Sequence, residues 1–155
     1  MPQRLPFQSL APEPYKALMA IENYLHASGL DAKLIHLLKL RASQINGCAF
    51  CIDMHSIDAR AAGEPEQRLY ALDAWRETPF FTDRERAAFE WTEAVTRIAE
   101  SHAEDESFTR LRDFFSDKEI VDLTWLIAAI NTWNRLAISF RLVPGHYHPR
   151  SASAR

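Results

Sequence analysis

The segment Cys48-Ala-Phe-Cys51-Ile-Asp-Met-His55 concentrates the reactive residue types of this chain. A thiolate is a strong nucleophile, and a helix N-terminus and a nearby imidazole each favour its formation. Residues three apart share a helix face, so Cys48 and Cys51 can close a small disulfide. Cys51 and His55, four apart, are neighbours one turn along. The helix dipole alone prefers charge on the more N-terminal Cys48, but Cys48 stands about 10 Å along the axis from His55. Cys51 is close to the imidazole and still within the first turn. We therefore assign Cys51 as the attacking thiol and Cys48 as the resolving thiol, the reverse of thioredoxin-type use of such a pair.

Two helices must position these groups. Asp31 can cap a helix from about Ala32 to Ile45, and Asn46-Gly47 supplies the turn into a second helix from Cys48 to Ala62, ended by Gly63. Leu34, Leu37, Leu38 and Ile45 form the apolar stripe of the first helix, with His36, Lys39 and Ser43 on another side. Folded antiparallel about the turn, the helices place His55 about 12 Å and His36 about 16 Å back from it. That brings the imidazoles to within a turn of each other in height, a distance a proton relay can bridge where their faces match.

The rest of the chain reads as further helices. Leu18, Ile21, Tyr24 and Leu25 mark one over Pro12 to Ala27, and Pro65 opens another to about residue 75. Thr82-Asp-Arg-Glu85 is a capping box before a helix with Ala88, Trp91, Val95 and Ile98 on one face. Ser107 caps a short segment through Phe115. A second box, Ser116-Asp-Lys-Glu119, opens the longest helix, Asp117 to Phe140, apolar nearly all round from Ile120 to Ile130 as a buried central element would be. No stretch alternates as a strand would. The prediction is an all-α, single-domain bundle of about seven helices over 12–143, with an extended N-terminal arm (1–11) and a flexible C-terminal tail (144–155) carrying His146 and His148.

Composition bounds the function classes. The chain has 155 residues, 47% of them hydrophobic and 25% charged, which suits one globular core. A net charge of −3 leaves no basic surplus for a phosphate backbone, so no nucleic-acid partner is expected. The Ile120–Ile130 run is too short and too polar to span a membrane. The opening MPQRLPFQSLAPEP has neither an apolar segment nor a small-residue cleavage site. A cytoplasmic location is expected, where a close cysteine pair is catalytic or metal-binding more often than structural.

The run Leu37-Leu-Lys-Leu-Arg-Ala-Ser-Gln-Ile-Asn-Gly-Cys-Ala-Phe-Cys-Ile-Asp-Met-His55 resembles the core signature of alkylhydroperoxidase AhpD-like proteins in the carboxymuconolactone decarboxylase superfamily. Glu119-Ile-Val-Asp-Leu-Thr and Asn131-Thr-Trp-Asn-Arg-Leu-Ala137 resemble that family's C-terminal helix, and the likeness runs from about residue 15 to 143. The resemblance implies an all-α fold, homo-oligomers (trimers or hexamers) and a thiol peroxidase activity with the second cysteine, Cys51, peroxidatic. It places the family's histidine on His55. The family's relay glutamate falls on His36, where an imidazole can pass protons but lacks the carboxylate's charge at neutral pH. It further implies a peroxide substrate, an external dithiol or lipoyl-bearing reductant, and no metal or organic cofactor. In that cycle Cys51 becomes a sulfenic acid and Cys48 condenses with it to a disulfide.

Competing readings use the same residues. A general disulfide reductase would employ the pair without a sulfenic intermediate. A non-catalytic zinc-binding helical module would hold the ion by Cys48, Cys51, His55 and one of His36, His102, His146 or His148. Among residues with weaker claims, Asn131, Asn134 and Arg135 are read as an internal or intersubunit hydrogen-bond network. Trp91, Trp125 and Trp133 are assigned to core or oligomer interface. Trp75, Phe80 and Phe81 are placed over a pocket or against a neighbour, and Asp58 on a solvated helix face.

Overall fold

The computed structural model describes residues 2–149. Within them the chain forms α1 (Phe7–Leu10), α2 (Pro12–Ala27), α3 (Ala32–Asn46), α4 (Ala49–Ala61) and α5 (Glu66–Ala71). A 3₁₀ segment (Leu72–Glu77) follows, then α6 (Asp83–Thr96), α7 (Ile98–Ser101), α8 (Asp105–Arg112) and α9 (Asp117–Phe140). No strand occurs among the described residues. The all-α architecture agrees with the expectation. The helix count exceeds about seven because two single-turn helices, α1 and α7, have no sequence periodicity to betray them.

Local chemistry accounts for the main boundaries. Asp31 accepts a hydrogen bond from the Leu34 N–H at 2.9 Å and starts α3. Both capping boxes close reciprocally, Thr82 with Glu85 and Ser116 with Glu119. Ser107 is not a cap: α8 starts at Asp105, and the Ser107 hydroxyl donates back to the Glu104 carbonyl. Ile98 falls beyond the break at Arg97 and is exposed rather than continuing the α6 face.

α3 is central, packing against α4, α6 and α9. Leu37, Leu38 and Leu40 are fully buried there, each contributing about 1.5–3 kcal/mol. A helix covered on several sides must also bury its polar stripe. Lys39 pairs with Glu22 of α2, which also accepts from the Trp133 indole at 2.9 Å. Arg41 pairs with Glu93 and Asp73. Trp75 and Phe81 pack on Phe89, with ring centroids 5.5 and 5.1 Å apart, and so belong to the core. Phe80 remains partly exposed.

Three expectations are corrected. α9 is not buried all round: Val121 and Trp125 are 55% and 53% exposed. The N-terminal arm is docked, since the Arg4 N–H donates to the Phe140 carbonyl at 2.8 Å and Phe7 stacks on Phe140. The tail through residue 149 is pinned to α4, where the Gly145 N–H donates to Asp53 and the Tyr147 hydroxyl to Asp58. The remainder of the predicted flexible tail, 150–155, lies outside the described residues.

Candidate functional site

The α3–α4 turn creates the site. Gly47 takes a left-handed conformation (φ 68°), which costs glycine little and turns the chain sharply between the helices. Cys48 then falls at the N-cap of α4, where its sulfur accepts the Cys51 N–H at 3.4 Å. A position usually held by an oxygen-bearing side chain is thus held by sulfur. Both thiols are free, and both residues are only 1% exposed. They lie in a small apolar cluster with Ala42, Ile130 and Ala137, bordered by Phe50, Trp133 and Leu142.

Polar groups close the other side. The Asn134 amide donates to Ser43 Oγ at 3.0 Å, and Asn46 Nδ2 donates to the carbonyl oxygens of Asn131 and Asn134 at 3.0 and 2.8 Å. Asn131 in turn donates to Thr96 and accepts from Arg135. The expected amide network is therefore present within one chain. Its inner end also bears on the sulfurs, with Asn134 favouring ionisation of both and Ser43 that of Cys51.

The two thiols are driven apart. The Cys51 thiol donates to Cys48, and the N–H groups of Cys51 and Phe50 add to that preference, bringing Cys48 down to about 7 against burial. Cys51 is pushed up, first because it gives that hydrogen bond and then because it is buried. These directions favour charge on Cys48, whereas the His55 spacing leads one to expect it on Cys51. Helical spacing fixes which backbone positions are adjacent, while the cap geometry fixes which sulfur meets the open N–H groups.

His55 does not hold Cys51. Its side chain is buried, and among the described residues neither ring nitrogen has a hydrogen-bond partner. Burial first, then the positive charge of Lys39, lowers its pKa well below the ordinary 6.5. His36 stands 6.4 Å away between ring centroids, and burial lowers its pKa also. The expected proximity of the imidazoles is thus realised without a direct hydrogen bond. Asp58 is not on a solvated face: its Oδ2 lies 3.9 Å from His55 Nδ1, and its Oδ1 accepts from Tyr147 at 2.7 Å. A ring nitrogen of each histidine and a carboxylate oxygen of Asp58 lie within 4.8 Å of one another. The sulfurs do not join that group, so the alternative cysteine–histidine zinc site does not assemble among the described residues.

Glu22 and Lys39 were missed as neighbours of the site, because a charged residue on a helix reads as outward-facing until its partner is known. A polar stripe opposite an apolar one on α3 was the available signal that both sides are covered. Two surface grooves run beside Val121 and Trp125, and neither is lined by the cysteines, His36 or His55.

Residues 12–94 match the sequence model of the carboxymuconolactone decarboxylase family. The chain is 44% identical over 139 residues to the uncharacterized protein YdfG of Bacillus subtilis (strain 168), covering 90% of this chain and 95% of that one. The uncharacterized protein YnjA of Escherichia coli (strain K12) is 33% identical over 104 residues, which are 67% of this chain and 57% of YnjA. A crystal structure from Agrobacterium tumefaciens, of the protein of unknown function ATU0492 named as a candidate antioxidant defence protein AhpD, superposes with a TM-score of 0.91. It is 50% identical, over 94% of this chain and 100% of that one. The debrominase Bmp8, at 18% identity over 90% of this chain and 75% of that one, shares the fold with a TM-score of 0.77. The chain belongs to the carboxymuconolactone decarboxylase family, as an AhpD-like member.

Proposed function

We propose that this protein is a thiol-dependent peroxidase whose redox centre is the Cys48–Cys51 pair. One observation carries the reading: two free, buried thiols three residues apart, with the Cys48 sulfur capping a helix N-terminus and accepting the Cys51 N–H. The likeness to a protein named as a candidate AhpD supports the same chemistry.

The cycle starts from the Cys48 thiolate. Its sulfur attacks the O–O bond of a hydroperoxide; the bond breaks, an alkoxide leaves and takes up a proton, and Cys48 becomes a sulfenic acid. Cys51 then attacks that sulfur, forming the disulfide and releasing water. An external dithiol, of lipoyl type or another, supplies two electrons and two protons to restore the pair. His55, one turn beyond Cys51, and His36 beyond it move protons between the site and solvent. Both imidazoles are neutral at pH 7 and so can accept as well as donate. The family resemblance implies the opposite order, with Cys51 attacking. Hydroperoxide consumption driven by a dithiol, measured for wild type, Cys48→Ser and Cys51→Ser, tests the proposal. Loss of turnover in both variants, with one equivalent still consumed by Cys51→Ser alone, is expected. Unchanged turnover in either variant overturns the dithiol cycle, and one equivalent consumed by Cys48→Ser alone restores the Cys51-first order.

A general disulfide reductase is the second reading, favoured by the acidity of the N-terminal cysteine, the arrangement used in dithiol–disulfide exchange. Turnover of a model disulfide faster than of an organic hydroperoxide would select it. A resting dithiol suits a reducing compartment such as the cytoplasm, and no helix among the described residues is long and apolar enough to cross a membrane. For the homo-oligomer, trimer or hexamer, we take the exposed Val121–Trp125 stripe of α9, with Tyr24 beside it, as the surface that a second copy covers.

A further inference from the structure

His36 and His55, the proton carriers proposed above, form with Asp58 a group whose polar atoms are incompletely paired. His55 is 4% exposed, yet both of its ring nitrogens lack a partner, as does Nδ1 of His36. A neutral imidazole carries one donor and one acceptor, and leaving both unmet in a buried ring is rare in folded proteins. One ring nitrogen of each histidine lies within 4.8 Å of an Asp58 oxygen, and His55 Nδ1 stands 3.9 Å from Oδ2. From the position and chemistry of the three side chains we infer that they form a binding site for a divalent transition-metal ion such as Zn²⁺, separate from the cysteine sulfurs. The inference does not rest on the peroxidase reading.

The backbone holds the set together. His55 and Asp58, three residues apart on α4, share one face, and α3 brings His36 opposite them. The ligand atoms lie within 4.8 Å of one another. A tetrahedral ion with bonds of about 2.0–2.1 Å needs them about 3.3 Å apart. Side-chain rotation can supply that closure, since His55 Nδ1 and Asp58 Oδ2 already stand 3.9 Å apart. Tyr147 donates to the other Asp58 oxygen, the kind of outer contact that orients a ligating carboxylate. Lys39 places positive charge near the imidazoles, but Glu22 is paired with it. Two histidines and one carboxylate suit Zn²⁺, Co²⁺ or Fe²⁺ and leave coordination positions for water or a small anion.

The test uses the full chain stripped with chelator and titrated with Zn²⁺ by calorimetry and with Co²⁺ by visible absorption. One ion per chain is expected, with Co²⁺ d–d bands and no thiolate charge-transfer band. His55→Gln and Asp58→Asn should each weaken binding at least about tenfold, while a Cys48→Ser/Cys51→Ser variant retains it. His36→Gln, at a partly exposed position, gives a second ligand variant should the His55 change disturb folding, which circular dichroism reports. No stoichiometric uptake at micromolar metal overturns the site, as does a charge-transfer band that vanishes with the cysteines. Peroxide-driven oxidation of the thiols is scored separately in chelated protein, so either idea can fail alone.

Discussion

Removing the Cys51 side chain tests the electrostatics of the pair most finely. Cys48 titrates near 7 rather than at the ordinary 9.0 of a thiol. At pH 7 that is the difference between about half and about one part in a hundred as thiolate, or about 3 kcal/mol of preference for the charged form. The largest contribution is the hydrogen bond from the Cys51 thiol. A hydrogen bond to a charged acceptor contributes about 1.5–3 kcal/mol, so Cys51→Ala should move the Cys48 titration up by roughly one to two pH units. The backbone N–H groups of Cys51 and Phe50 and the Asn134 amide remain and hold the rest. In Cys48→Ala the surviving thiol should behave oppositely. Burial pushes Cys51 up and outranks the Asn134 and Ser43 hydrogen bonds that lower it, so little thiolate is expected at neutral pH. The assay is the pH dependence of alkylation by iodoacetamide, followed by mass, alongside thiolate ultraviolet absorbance. An acidic thiol near pH 7 surviving in Cys48→Ala, and absent from Cys51→Ala, would return the charge to Cys51.

Three further outcomes follow from the packing. Lys39→Met strands Glu22 as a buried carboxylate and should cost about 3 kcal/mol or more, lowering Tm by roughly 6–12 °C, while Glu22→Leu/Lys39→Met recovers much of it; a single variant as stable as wild type would contradict the buried pair. His55 has a folded-state pKa below its unfolded 6.5, so below pH 6.5 the unfolded chain binds more protons and stability falls with falling pH. Chemical denaturation from pH 7.5 to 5 should show that loss in wild type and a smaller one in His55→Gln; equal slopes would count against it. Trp125→Lys should shift the mass measured by light scattering toward the single chain without altering helicity, and an unchanged mass would place the subunit contact elsewhere.

The parts of this molecule legible in its sequence are those set by nearby residues. Asp31, the two capping boxes and the Asn46-Gly47 turn each act within four residues, and each marks its helix boundary. The apolar Ile120–Ile130 run gave no such guidance. Its polar residues Asp122 and Thr124 face protein partners, so periodicity could not tell that Val121 and Trp125 point outward. The cysteine motif was legible as chemistry but not as electrostatics. Counting residues sets the height of His55 above Cys51, whereas the Gly47 turn decides that the Cys48 sulfur caps α4. The docking of Tyr147 on Asp58 and the Lys39–Glu22 pair join segments far apart in the chain, and no local pattern announces them.

Reaction of the reduced, chelated protein with one equivalent of organic hydroperoxide, in the presence of a sulfenic-acid trap and read by peptide mass spectrometry, is the most direct trial of the redox centre. A Cys48–Cys51 disulfide is expected in wild type, and a trapped sulfenic acid at Cys48 in Cys51→Ser. Two thiols that remain fully alkylatable after the peroxide is added would contradict the dithiol cycle.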